Sequence, residues 1–166
     1  MTMLMRLIYF SRHRLDQRYD DRERAVAEIL AVAVANNQRD GITGALIYDD
    51  QWFAQVLEGD EGAVSATFER ILRDPRHRDV SLVTMEGVSA RRYGDFAMAC
   101  VGRSQDNGDL FRHYGEDDRF DPRQIRRDRL SDLIEAVVRR GPTGGPTGEQ
   151  TTGEQKWTTK NATSAA

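Results

Sequence analysis

The sequence predicts an α+β domain, a ferredoxin-like βαββαββ sandwich with a mixed five-stranded sheet, two helices on one face and C-terminal helices on the other. Three observations carry this expectation. Short apolar and aromatic runs alternate with stretches of helical periodicity in the order strand, helix, strand, strand, helix, strand, strand. A tight-turn signal, Asp49-Asp50-Gln51, joins the second and third strands into a hairpin. The last run, Asp95 to Val101, is apolar on both sides, with Phe96, Met98 and Cys100 on one and Ala97, Ala99 and Val101 on the other. A strand of that kind needs both faces of its sheet covered.

Leu4 to Phe10 suits a buried strand, and period-two geometry puts Met5, Leu7, Tyr9 and Ser11 on one face. Asp20 followed by Glu23 resembles a helix N-cap box, after which Val26, Ile29, Leu30 and Ala33 form an apolar stripe; this helix is expected to end near Asn36-Asn37. Gly41 to Tyr48 and Trp52 to Glu58 are the hairpin strands, and on the second of them Phe53, Gln55 and Leu57 share a face. Gly59-Asp60 turns into a second helix whose stripe is Val64, Phe68, Ile71 and Leu72. It stops at Asp74-Pro75, because a residue before proline avoids the helical region. Val80 to Met85 is the fourth strand. In segment 119–140, Ile125, Leu130, Leu133, Ile134 and Val137 keep helical spacing and form the expected lid on the far face.

The expected organisation is therefore a core at 1–102, a helical cap at 103–140 and a low-complexity tail at 141–166. The tail holds five Gly, two Pro and seven Thr, and such a composition buries too little surface to offset the entropy of ordering it. In the whole chain of 166 residues, 24 Lys and Arg face 27 Asp and Glu, a net charge of −3, which argues against a protein that coats nucleic acid or an anionic membrane. The first apolar stretch is interrupted by Arg6, so a signal peptide or membrane span is not expected and the chain reads as cytoplasmic. One cysteine, Cys100, and three scattered histidines give no metal-binding pattern.

The informative oddity is Gln55, an amide placed by alternation among buried apolar neighbours, where it needs polar partners. In a ferredoxin-like sheet the first and third strands adjoin, so Tyr9 can meet it, either as a satisfied core pair or as part of a ligand site. Asn36 and Asn37 add amides, and Arg76 and His77 add charge at the sheet edge. With Ile29 and Ile71 on the two helix stripes they outline a slot suited to a flat heteroaromatic ligand carrying phosphates. Taken singly, each has a plainer reading as a cap or a solvated side chain.

Five segments together resemble a known family. They are LIYFSR at 7–12, NNQRDGITG at 36–44, FAQVLEG at 53–59, DPRH at 74–77 and RRYGDFAM at 91–98. In order and spacing the stretch 4–101 is similar to a BLUF domain, a blue-light sensor that uses flavin adenine dinucleotide (FAD). The resemblance implies a flavin ring packed between Ile29 and Ile71, with Asn36 and Asn37 on its pyrimidine edge and Arg76 on a carbonyl. Asp74 and His77 would lie toward the ribityl and phosphate end, and Phe53 nearby. FMN or riboflavin could replace FAD. It also implies light-driven proton-coupled electron transfer from Tyr9 through Gln55 to the flavin, rearranging the hydrogen bonds at its C4 carbonyl and N5, with Met98 beside Gln55 relaying the change. The chain departs from the usual pattern at Phe96, where the family commonly has tryptophan, and at Tyr93, where phenylalanine is more usual.

The resemblance further implies a sensor without an enzymatic activity of its own, signalling to a separate effector protein or through a homo-oligomer. The C-terminal arginines Arg126, Arg127, Arg129, Arg139 and Arg140 suit either an acidic partner or a solvated helix face. Two other readings stay open from the sequence. One is a small phosphate-handling hydrolase on the same fold, against which stands the lack of a glycine-rich cradle or a nucleophile set. The other is a flavin-free interaction module whose Tyr9–Gln55 pair is structural.

Overall fold

In the computed structural model, residues 2–15, 19–115 and 119–140 are described; the expected tail at 141–166 lies outside them. The elements are β1 (Leu4–His13), α1 (Tyr19–Asp40), β2 (Thr43–Tyr48), β3 (Trp52–Asp60), α2 (Glu61–Arg73), β4 (His77–Gly87), β5 (Ala99–Gly102), α3 (Gly108–Tyr114) and α4 (Arg127–Arg140). The sheet order is β4-β1-β3-β2-β5. All neighbours are antiparallel except β2 and β5, which run parallel. The expected mixed α+β sandwich is present. Among the described residues no helix is long and apolar enough to cross a membrane.

Alternation along the strands divides the apolar side chains into two cores. Met5, Leu7, Tyr9, Phe53 and Leu57 pack with Val26, Leu30 and Val64 beneath α1 and α2. Ile8, Ile47, Ala54 and Val56 pack with Leu130, Leu133, Ile134 and Val137 beneath α4. The central strand β3 is buried along almost its whole length. That is why the sequence 53–57 reads as nearly continuous apolar residues, with Gln55 as the exception.

Several boundaries differ from expectation, each for a local reason. Asp20 is already the second residue of α1, so it is not the cap, and Glu23 accepts a hydrogen bond from the Tyr48 hydroxyl at 2.7 Å. At its other end α1 runs past Asn36-Asn37 to Asp40. Gly41, at φ 67°, then closes it, with the Ile42 N–H donating to the Asn37 carbonyl at 2.8 Å. Leu72, at the margin of the α2 stripe, is exposed and not part of the buried face. The stop of α2 at Asp74 is as expected, with an extended ψ of 119° before Pro75.

The last strand is shorter than predicted and begins at Ala99. Before it, the Ala97 carbonyl accepts from the Asn37 side chain at 2.9 Å instead of joining a ladder, and strict alternation is lost there. Phe96 consequently packs against the α4 core, whereas Met98 and Cys100 lie in the α1–α2 core; the expectation that all three share a face is corrected. Helix α3, seven residues long, is too short for its period to show in the sequence. Four of the C-terminal arginines have partners inside the fold. Arg126 pairs with Asp128, Arg139 with Glu135 and Arg140 with Asp109, while Arg129 donates to the Tyr114 carbonyl.

Candidate functional site

Between α1 and α2, above the sheet, is a cleft enclosing about 730 Å³, open solvent at its mouth included. Ile29 from α1 and Ile71 from α2 form its apolar walls. The α1 stripe places Asn36 and Asn37 about two turns beyond Ile29, and both line the cleft. Asn37 is buried, with its Nδ2 committed to the Ala97 carbonyl. The floor is made by β2 and β3 through Leu46, Phe53 and Gln55.

Directly behind this floor, Tyr9 and Gln55 are register partners across β1 and β3. The fully buried Tyr9 hydroxyl donates to Gln55 Oε1, while Gln55 Nε2 donates to Met98 Sδ at 3.4 Å. Burial pushes the Tyr9 phenol well above its ordinary pKa, and the Asp74 charge adds to the effect. The phenol is thus held as a neutral donor. One amide joins a phenol, a thioether and the cleft.

At the mouth, Asp74 follows α2 and accepts Arg76 as a two-toothed pair, with Arg76 Nη2 at 2.5 Å, which holds the Asp74 carboxyl below its usual range. His77 opens β4. Its Nδ1 lies 2.8 Å from Ser11 Oγ, and its ring is 6.2 Å from Tyr9 and 5.2 Å from Phe53 between centroids. Burial lowers its pKa to about 4, so it is neutral at pH 7.

The structure therefore gathers Ile29, Asn36, Asn37, Phe53, Gln55, Ile71, Asp74, Arg76 and His77 around one cleft, with Tyr9 and Met98 on the buried side of Gln55. Sequence reasoning missed Thr67 and Arg70, which also line it. Arg70 donates to Thr67 Oγ1 at 2.8 Å and to Asp40 at 2.9 Å across the helix pair. The one available signal was their position one turn and one residue before Ile71.

Flat apolar walls with amides and a guanidinium at the rim fit an isoalloxazine, whose faces are apolar and whose edge carries carbonyl and imide groups. The family model for BLUF, sensors of blue light using FAD, matches residues 4–99. The chain is 42% identical over 69 residues to photoactivated adenylate cyclase subunit alpha of Euglena gracilis, covering 42% of this chain and 7% of that one. It is 32% identical over 96 residues to the blue light- and temperature-regulated antirepressor BluF of Escherichia coli (strain K12), covering 58% and 23%. The chain thus spans less than a quarter of these relatives. Among solved structures, BlrB, a BLUF protein in its dark state, superposes with a TM-score of 0.68 at 32% identity over 82% of this chain and 98% of that one. The photo-activated state of BlsA gives 0.72 at 26% over 89% and 100%. With this match over more than half its length, the chain belongs to the BLUF family, and residues 4–99 form a blue-light sensor that uses FAD.

Proposed function

We propose that the cleft between α1 and α2 holds the flavin and that Tyr9 and Gln55 are its photochemical pair. The observation that carries this is the buried chain of contacts from the Tyr9 hydroxyl to Gln55 and from Gln55 to Met98 at the cleft floor. Ile29 and Ile71 would pack the ring faces, with Asn36, Asn37 and Arg76 meeting its polar edge. Asp74 and His77 would lie toward the flavin's ribityl and phosphate end, and Phe53 lines the floor.

Bound FAD supplies blue-light absorption and, once excited, a strong oxidant. Tyr9 cannot release its proton alone, because burial disfavours the phenolate. When Tyr9 gives up an electron its phenol becomes strongly acidic, and the proton moves along the existing hydrogen bond to Gln55 Oε1. Once Tyr9 regains both, Gln55 is left rotated or tautomeric. Its donor and acceptor ends are exchanged relative to Tyr9, Met98 and the cleft. The two arrangements of one amide are the switch.

In this reading the chain is a cytoplasmic sensor that catalyses no reaction itself. Residues 1–102 form the photosensory core and 103–140 a cap. The signal passes to a separate effector protein or through a homo-oligomer. The cyclase and antirepressor relatives, whose lengths far exceed the matched segment, support a sensor that acts on something beyond itself.

Absorbance of the FAD-loaded protein in darkness and under blue light tests the reading. The expected result is a reversible shift of the flavin bands to longer wavelength without bleaching. Tyr9→Phe should keep the flavin and lose the shift; a Tyr9→Phe protein that shifts like the wild type would overturn the assignment of the pair.

A further inference from the structure

We infer that Arg92 is the joint through which a change at Gln55 and Met98 reaches α4. The inference rests on Tyr9 and Gln55 being the photochemical pair.

Three residues beyond Gln55 on β3, the Glu58 side chain is completely buried. Its carboxylate accepts from Arg6 Nε at 2.8 Å, from the Arg92 backbone N–H at 3.0 Å and from the Tyr93 backbone N–H at 2.9 Å. An ion buried this deeply persists only when its oxygens are filled, so these donors are held firmly in place. Arg91 reinforces the attachment, donating to Thr43 Oγ1 at 2.9 Å and to the Glu58 carbonyl at 2.8 Å. Segment 91–93 is therefore fixed to the strand that carries Gln55. The same segment runs on to Met98, which receives the Gln55 amide.

Strand β3 and segment 91–98 thus make a closed ring of chain and hydrogen bonds. It is anchored at Glu58 and switchable at Met98, where rotation of Gln55 removes or replaces the Nε2 donor. The Glu58 bonds tie the Arg92 backbone to β3, so the ring moves as one stiff piece and a displacement at its Met98 end carries Arg92 with it. The Arg92 side chain leaves this ring toward α4, with its Nη1 at 3.2 Å from both Ser131 Oγ and Glu135 Oε2. Those two acceptors stand one helical turn apart on the same face of α4. Glu58 is the positioning residue; Arg92 transmits.

The test uses the full FAD-loaded chain, comparing dark and illuminated samples by absorbance and by hydrogen–deuterium exchange in α4. In the wild type, illumination should produce the absorbance shift and a change in α4 exchange. Arg92→Ala, which leaves the backbone N–H to Glu58 intact, should keep the absorbance shift and dark-state exchange. It should reduce the light-induced exchange difference at least about twofold, the lower end of what losing one coupling residue produces. Arg92→Lys, which retains the charge facing Glu135, should restore much of it. An Arg92→Ala protein with the full α4 response, or a wild type that shifts its absorbance while α4 stays unchanged, would overturn this inference alone. A wild type without any absorbance shift would overturn the photochemical pair and this inference with it.

Discussion

Gln55 is the residue on which Tyr9, Met98 and the cleft converge, and its need for partners was legible because an amide in a run of apolar side chains demands them. Strand alternation and the adjacency of the first and third strands were enough to bring Tyr9 to it, and the two are register partners. Asn37 was legible only in part, since its bond to the Ala97 carbonyl links residues 60 apart in sequence. Replacing Asn37 by Ala removes a rim amide and strands that carbonyl. We expect FAD retention to weaken by about tenfold, the effect of one lost polar contact of about 1.4 kcal/mol, measured by flavin release on dilution.

Two buried titratable side chains set opposite responses to pH. His77, neutral and lowered to about 4 from the ordinary 6.5, contributes stability that is present above pH 6.5 and lost as the pH falls toward 4. Burial raises Asp49 from 3.8 to about 6, so its contribution runs the other way: present below 3.8 and lost as the pH rises through 6. Asp49→Asn should therefore be more stable than the wild type at pH 7, with the advantage vanishing near pH 4, as read by urea denaturation. A difference independent of pH would show that burial of the Asp49 charge is not the cause.

Among the elements, α2 was readable at both ends. Asp60 caps it by accepting from the Gly62 N–H at 3.0 Å, and Pro75 forces the exit. Both ends of α1 depart from the sequence expectation, since an Asp-x-x-Glu spacing and an Asn pair are common inside helices as well as at their ends, and the glycine that terminates α1 lies further on. Two glycines separate backbone freedom from space. A Cβ at Gly41 would meet nothing within 4 Å, so Gly41→Ala costs only the left-handed backbone, about 1 kcal/mol. A Cβ at Gly44 would stand 2.1 Å from the Val56 carbonyl oxygen, so Gly44→Ala must push β2 from β3 and should be several times more damaging. Thermal unfolding of the two variants checks this ranking. The start of β5 was illegible for a related reason, because a side chain from another element captures the carbonyl that alternation assigns to the ladder.

At the scale of the molecule, one sheet carries two cores, with the cleft above one face and α4 against the other. Leu133, fully buried in the α4 core, should cost about 2–5 kcal/mol when replaced by Ala, by chemical denaturation, because the rigid sheet beneath it cannot collapse into the void. The flavin bands should be unaffected, since that core lies across the sheet from the cleft. Family membership displaces the hydrolase and flavin-free alternatives that composition left open.

By itself the sequence determined the order of the strands and the long helices and the face on which each apolar residue lies along regular strands, because local periodicity needs only covalent geometry and the drive to bury apolar surface. Several of the residues around the cleft, Phe53 and Asp74 among them, came from the family resemblance instead, and Thr67 and Arg70 from neither. Only the tertiary structure decided where regular pairing ends, which face receives Phe96, how Arg70 bridges the helices and how Glu58 ties segment 91–93 to β3. Each depends on a polar contact between residues distant in the chain, and such contacts have no period to read.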